Sequence, residues 1–167
     1  PEANGIYSKM MYTHTLINQL RGDKHRKRAA REELWKAQGC EAFWHVAEGG
    51  LYNNNLRKAA YRALLDAEKI TRERGVFLPS VVSFDIDLDG MREYLFQGTD
   101  LNCYVKTQGA AIFELDYLSK SWNYLDTFAR RRESYASDAV LLDGYRRCAF
   151  MDRLVTPETS LKDAENN

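Results

Sequence analysis

Gly75-Val76-Phe77-Leu78-Pro79-Ser80-Val81-Val82-Ser83-Phe84-Asp85-Ile86-Asp87-Leu88-Asp89-Gly90-Met91 is the stretch on which the fold turns. Two readings compete for it. The Val/Phe/Ile alternation over Val81–Ile86 suits a β-strand, whose side chains point to opposite faces at every second residue. Alternatively, Gly75 closes one helix, Pro79 marks the break, and a new helix opens beyond it. An isolated strand here has no obvious partner elsewhere in the chain. The segment is therefore read as helical.

Working outward, the flanking sequence supports helices on both sides. Gly22, Gly39, Gly75 and Gly98 each follow a stretch of helical character and are candidate stops. Asp23 can cap a helix running to about Gln38, the Asn53-Asn54-Asn55 run one to about Arg74, and Ser137-Asp138 one to about Leu154. Leu56, Ala60, Ala63, Leu64 and Ala67 keep the 3–4 spacing of one buried helical face. Ile112, Leu115, Leu118, Trp122, Leu125 and Ala129 do the same, with Phe113, Tyr117, Tyr124 and Phe128 beside them. This predicts a central helix over 112–129. Residues 28–37 and 58–67 also align, with identity at Ala29/Ala59, Ala30/Ala60, Leu34/Leu64 and Ala37/Ala67. That period suits stacked helical hairpins.

The chain has 167 residues, enough for one ordinary domain with its own core. One helical domain is expected over 1–155, followed by a polar tail over 156–167. Basic and acidic residues balance at 24 each, which argues against nucleic acid as the main partner. The charges are unevenly spread. Residues 21–36 carry seven Lys/Arg against three acidic groups, and residues 85–100 carry five acidic groups against Arg92. Such bipolarity suits docking on a complementary protein face, though solvated helix faces would look the same. Cys40, Cys103 and Cys148 are odd in number and widely spaced, the pattern of thiols in a reducing compartment. No apolar run reaches the ~18–20 residues of a membrane span, so no direct membrane insertion is expected. A start at Pro1 fits either a leader already removed or an artificial boundary.

The 75–91 stretch resembles a junction between pentatricopeptide repeats, in which a glycine stop and a proline precede a Val-Val-Thr-Tyr-like opening and a Leu-Ile-Asp-Gly-Leu-like run. Ala59-Ala60 and Leu64-Leu65 stand where that family places its packing residues, and Phe43 to Asn55 would be the preceding first helix, interrupted by Gly49-Gly50. The resemblance implies an all-α fold of stacked helical hairpins. With its size and start, the chain is also similar to the eighteen-kilodalton, euglenozoan-specific subunits of mitochondrial F-type ATP synthase. That likeness implies a non-catalytic structural subunit on the outer face of the catalytic head, against an alpha subunit, on the matrix side of the inner mitochondrial membrane. The alternative is an organellar RNA-binding or mitoribosome-associated repeat protein. Lys24–Arg28 and Arg130–Arg132 could meet phosphates. However, Ile86 falls at the family's base-reading position, where it cannot hydrogen-bond a base.

Asp85-x-Asp87-x-Asp89-Gly90 matches the first half of an EF-hand loop, but the twelfth position holds Phe96 instead of a bidentate glutamate. The same residues resemble the nucleophile turn of haloacid-dehalogenase phosphatases, a fold that needs a parallel sheet and more acidic motifs downstream. His14, His25 and His45 are the only histidines, and Cys40 with His45 lacks a second ligand pair. Gly49-Gly50 lacks the lysine of a P-loop. No catalytic, cofactor-binding or metal-binding residues are expected, and no cofactor.

Overall fold

The computed structural model describes residues 2–44, 50–73, 77–126, 142–143, 148–151 and 156–160. Three helices come first: α1 (Glu2–Gln19), α2 (Lys24–Ala37) and α3 (Asn54–Arg72). Asp23 caps α2 by accepting a 2.9 Å hydrogen bond from the Arg26 amide. Asn53 caps α3 from the amides of Asn55 and Leu56. Between α1 and α2 the chain reverses through Gly22, whose φ of +80° is open to glycine at little cost.

The internal likeness between residues 28–37 and 58–67 has a physical origin. Ala30, Leu34 and Ala37 of α2 are buried, and so are Ala60, Leu64 and Ala67 of α3 at the same spacing. Five of these six join Ile6 and Ile17 of α1 in one apolar cluster, with Ala60 buried beside them. Small residues let the helices approach closely, and each fully buried leucine contributes about 1.5–3 kcal/mol.

The second half overturns the all-α expectation of stacked hairpins. It is a five-stranded antiparallel sheet in the order β1-β2-β3-β4-β5. The strands are β1 (Ser80–Phe84), β2 (Glu93–Gln97), β3 (Leu101–Val105), β4 (Ile112–Tyr117) and β5 (Trp122–Asn123). Val81–Phe84 does have partners: Val81 pairs with Phe96, Val82 with Leu95, Ser83 with Tyr94 and Phe84 with Glu93. The helix predicted over 112–129 is instead β4, a 3-10 turn at Leu118–Lys120 and β5. Phe113-Glu114-Leu115-Asp116-Tyr117 alternates apolar and polar at period two, and the period-four matches among its aromatics were coincidental. The helix predicted to start at Ser137 lies largely outside the described residues. Within it, Ala149 forms an isolated bridge to Ile112.

The sheet has an inverted polarity. Glu93, Leu95, Gln97, Asn102, Tyr104, Glu114, Asp116 and Asn123 are buried on the face that meets the helices. The opposite face carries Val81, Ser83, Tyr94, Phe96, Leu101, Cys103, Val105, Leu115, Tyr117 and Trp122. Val81, Tyr94, Phe96, Leu101, Tyr117 and Trp122 of that set are exposed. Most sheets place apolar residues inward and polar ones outward. Here the helix-facing side combines a polar network with an apolar patch of Phe84, Leu95 and Tyr104 against Tyr12 of α1, and the outward side is apolar.

Candidate functional site

A groove among the described residues lies where α2 ends. The chain leaves Ala37, turns through Gly39 and a short 3-10 segment at Cys40–Ala42, and reaches Phe43-Trp44. Phe43 packs against the helical core cluster. Trp44 points the other way and is 70% exposed. Its carbonyl accepts a 2.9 Å hydrogen bond from the Leu51 amide, which ties the two ends of the loop together. Trp44, Phe43, Tyr7, Met10, Ala3, Asn4 and Gln38 line an open groove of about 630 Å³ against the first turns of α1. A second groove of about 480 Å³ borders the same turn and carries the charged side chains of Glu33, Lys36, Glu41, Arg62 and Asp66. Exposed aromatic faces beside amide and carboxylate groups suit a ligand with apolar C–H faces and hydroxyl edges. Of the first repeat helix expected over Phe43–Asn55, residues 45–49 lie outside the described residues, and Gly50–Tyr52 forms a 3-10 turn. The signal available in the sequence was the aromatic pair bracketed by Gly39 and Gly49-Gly50.

The Asp85-x-Asp87-x-Asp89-Gly90 motif forms the β1–β2 turn, between antiparallel strands and not between the two helices of an EF-hand or after a parallel strand. Asp85 accepts from the amides of Asp89 and Gly90 at 3.1 and 3.0 Å, closing the turn on itself. The three carboxylates do converge, with oxygens within 4.8 Å of one another. Lys106 of the β3–β4 turn already supplies the positive charge, with Nζ 2.9 Å from Asp87 and 3.9 Å from Asp89. Its ammonium also lies 3.8 Å from Glu93, whose carboxyl burial raises above the usual range. Ile86, placed by resemblance at a base-reading position, is buried against Tyr12, Leu95 and Tyr104. His14 is exposed and bonded to Asn18 at 2.7 Å, His25 is exposed, and His45 and Arg130–Arg132 lie outside the described residues.

A third constellation is fully buried between helices and sheet. Lys9 of α1 reaches Asp116 at 2.6 Å, Glu114 at 3.2 Å and Glu68 at 3.3 Å. Arg72 pairs with Glu68 and donates to Asn102 at 2.8 Å. Asn102 passes its amide protons to Glu68 and Asp116, at 3.1 and 3.0 Å. Burial opposes the Lys9 charge, yet Asp116, Glu68 and Glu114 outweigh it and hold its pKa well above the ordinary lysine range. Burial likewise disfavours ionised Glu68, but Lys9 and Arg72 lower it overall. Burial and then Asp116 push Glu114 up to about 8. Two cations, Lys9 and Arg72, thus share one buried network with Glu68, Glu114 and Asp116. Lys9, Glu68 and Asp116 are no more than 2% exposed, so this cluster holds the two layers together and offers nothing to a ligand.

Two family models match. The alpha-amylase/4-alpha-glucanotransferase middle domain covers residues 1–71, and the C-terminal region of the same enzymes covers residues 85–140. The first interval is the helical layer and the second takes in β2 to β5. Alpha-amylase 1 of Dictyoglomus thermophilum is 25% identical over 97% of this chain and 27% of its own length. An alpha-amylase of Pyrococcus horikoshii is 32% identical over 92% of this chain and 22% of its own. The crystal structure of 4-alpha-glucanotransferase from Thermococcus litoralis superposes with a TM-score of 0.78 and 26% identity, covering 98% of this chain and 25% of that one. The chain thus spans about a quarter of the relatives it matches. These findings overturn the pentatricopeptide and ATP synthase resemblance, and with it the structural-subunit and RNA-binding readings and the expectation of a non-enzyme. The alpha-subunit partner and mitochondrial placement rested on that resemblance alone.

Proposed function

We propose that this chain is the helical middle and sheet-bearing C-terminal region of a carbohydrate-processing enzyme like the alpha-amylases and 4-alpha-glucanotransferases it resembles. Its own part would be to bind an α-glucan in the groove beside Trp44. The observation that carries this reading is the exposed, backbone-anchored Trp44 with Tyr7 across the groove, in the layer that matches the middle domain. A pyranose ring has an apolar C–H face that stacks on an aromatic ring and hydroxyls that bond the amide side chains of Asn4 and Gln38 in that groove. Glycoside cleavage needs two carboxyl groups, about 5–5.5 Å apart for a retaining enzyme, at the scissile bond. The two acidic groupings described above have partners of their own: Asp87 pairs with Lys106, and the other grouping is buried with Lys9. The reacting pair would then lie outside the described residues, with the Trp44 groove holding the glucan in place.

The test is Trp44→Ala in the polypeptide as its source makes it, assayed on maltooligosaccharides. A rise in KM of about tenfold or more with kcat little changed supports a binding role. Unchanged KM would overturn it.

A further inference from the structure

A second tryptophan stands close to the groove of the first. Gln38 lines the Trp44 groove, and Trp35 lies one helical turn before it on α2, 61% exposed. Arg31 follows one turn further back and is exposed as well. Residues three and four apart share a helix face, so Arg31, Trp35 and Gln38 form one row. A single contact fixes where that row points. Arg31 donates from Nη2 to Asn18 Oδ1 of α1 at 3.2 Å, so the row borders the seam between α1 and α2. Glu33 and Lys36, by contrast, border the second groove, with α3. On the opposite wall Tyr7, His14 and Asn18 of α1 are exposed at spacings of seven and four, again one face. Tyr7 lines the Trp44 groove too, so groove and seam are continuous. From Tyr7 to Asn18 the seam extends roughly 16 Å along α1.

We propose that the α-glucan tract continues from the Trp44 groove along this seam, with a further sugar ring stacked on Trp35 and its hydroxyls bonded to Gln38 and Arg31. The proposal rests on the reading above that Trp44 binds glucan. One exposed aromatic ring on a surface carries no meaning by itself. Here Tyr7, Trp35 and Trp44 share one continuous run, and all three are exposed. Trp35 also has a hydrogen-bonding side chain one turn to either side, an amide at Gln38 and a guanidinium at Arg31. An apolar C–H face laid on the indole, with hydroxyl edges turned to those two groups, matches a pyranose ring. The ligand is therefore a linear glucan long enough to reach both tryptophans. Short oligosaccharides occupy the Trp44 end alone.

The test uses the polypeptide as its source makes it, titrated by calorimetry with thio-linked analogues of maltotriose and maltoheptaose that resist cleavage. Wild type should bind the maltoheptaose analogue about tenfold or more tightly than the maltotriose analogue. Trp35→Ala should erase that gain and leave the affinity for the maltotriose analogue within about twofold. Trp35→Phe keeps a ring and should recover most of the gain, whereas Trp44→Ala should weaken both sugars. A gain undiminished in Trp35→Ala would overturn the tract, as would a loss shared equally by the two sugars. Binding of the maltotriose analogue with no gain for the longer one sinks the tract alone. No binding of either sugar sinks the Trp44 reading and the tract with it. Oxidation by N-bromosuccinimide, read at Trp35 by peptide mass, locates the contact. The maltoheptaose analogue should protect Trp35 and the maltotriose analogue should not. A Trp35 inert before sugar is added would assign the seam to other parts of the polypeptide. Protection by the maltotriose analogue would make Trp35 a separate site. Either result overturns the continuous tract.

Discussion

Lys9 of α1 and Asp116 of β4, 107 positions apart in sequence, meet at 2.6 Å in the middle of the molecule. Around that contact gather Glu68, Arg72, Asn102 and Glu114, so helices and sheet are joined by hydrogen-bonded charge where most domains use hydrocarbon. Removing one member of a buried pair strands the other. Lys9→Met should therefore cost about 3–5 kcal/mol, read as a lower urea midpoint. Adding Asp116→Asn to Lys9→Met should restore part of the loss, because it removes the stranded charge.

Stability should fall as the solution becomes alkaline. Glu114 is raised to about 8 in the folded chain, against an unfolded value near 4.3. Over that window the folded state keeps a proton that the unfolded chain releases. The contribution is complete below the unfolded value and is lost as pH rises through the folded one, at up to about 1.4 kcal/mol per pH unit. Glu68, lowered by Lys9 and Arg72, acts in the opposite sense and only on the acid side. Urea midpoints should thus drop between pH 5 and pH 8.5, and Glu114→Gln should flatten that drop.

Calcium should do nothing measurable to the native chain. Lys106 already occupies the electrostatic place of a cation among Asp85, Asp87 and Asp89. Millimolar calcium should leave the melting temperature of the wild type where it was. Lys106→Met, by uncovering three converging carboxylates, should make the melting temperature rise with added calcium.

Gly98 should not tolerate a side chain. It closes the β2–β3 turn by donating a 2.7 Å hydrogen bond to the Leu101 carbonyl. A Cβ there would come within 2.9 Å of that same carbonyl oxygen, a backbone atom that cannot rotate away. Gly98→Ala should destabilise by about 1–3 kcal/mol in thermal or urea unfolding.

The helical half was legible because its signals are local. Asp23 and Asn53 cap the helices that their positions imply, and the Ala-Leu-Ala spacing marks the faces that pack together. The sheet was not, for three physical reasons. Its strands alternate, but the residues turned inward include Glu93, Asn102, Glu114 and Asp116, so polarity alone points them the wrong way. Lys9, which pairs with Glu114 and Asp116, and Arg72, which donates to Asn102, come from distant helices and leave no trace in the local sequence. Aromatics at Phe113, Tyr117 and Tyr124 also match a helical period by chance. The groove was half visible. Phe43-Trp44 stands out as an aromatic pair between glycines, but only the fold shows that Phe43 turns inward and Trp44 outward.

The central claim is that the helical layer binds an α-glucan through the Trp44 groove. Calorimetric titration of the 167-residue chain with maltoheptaose tests it most directly, with Trp44→Ala as the comparison and circular dichroism to show that both are folded. The account predicts saturable binding that weakens at least tenfold in the variant. Affinity unchanged by Trp44→Ala, or no binding up to about 10 mM sugar by the folded wild type, would contradict it.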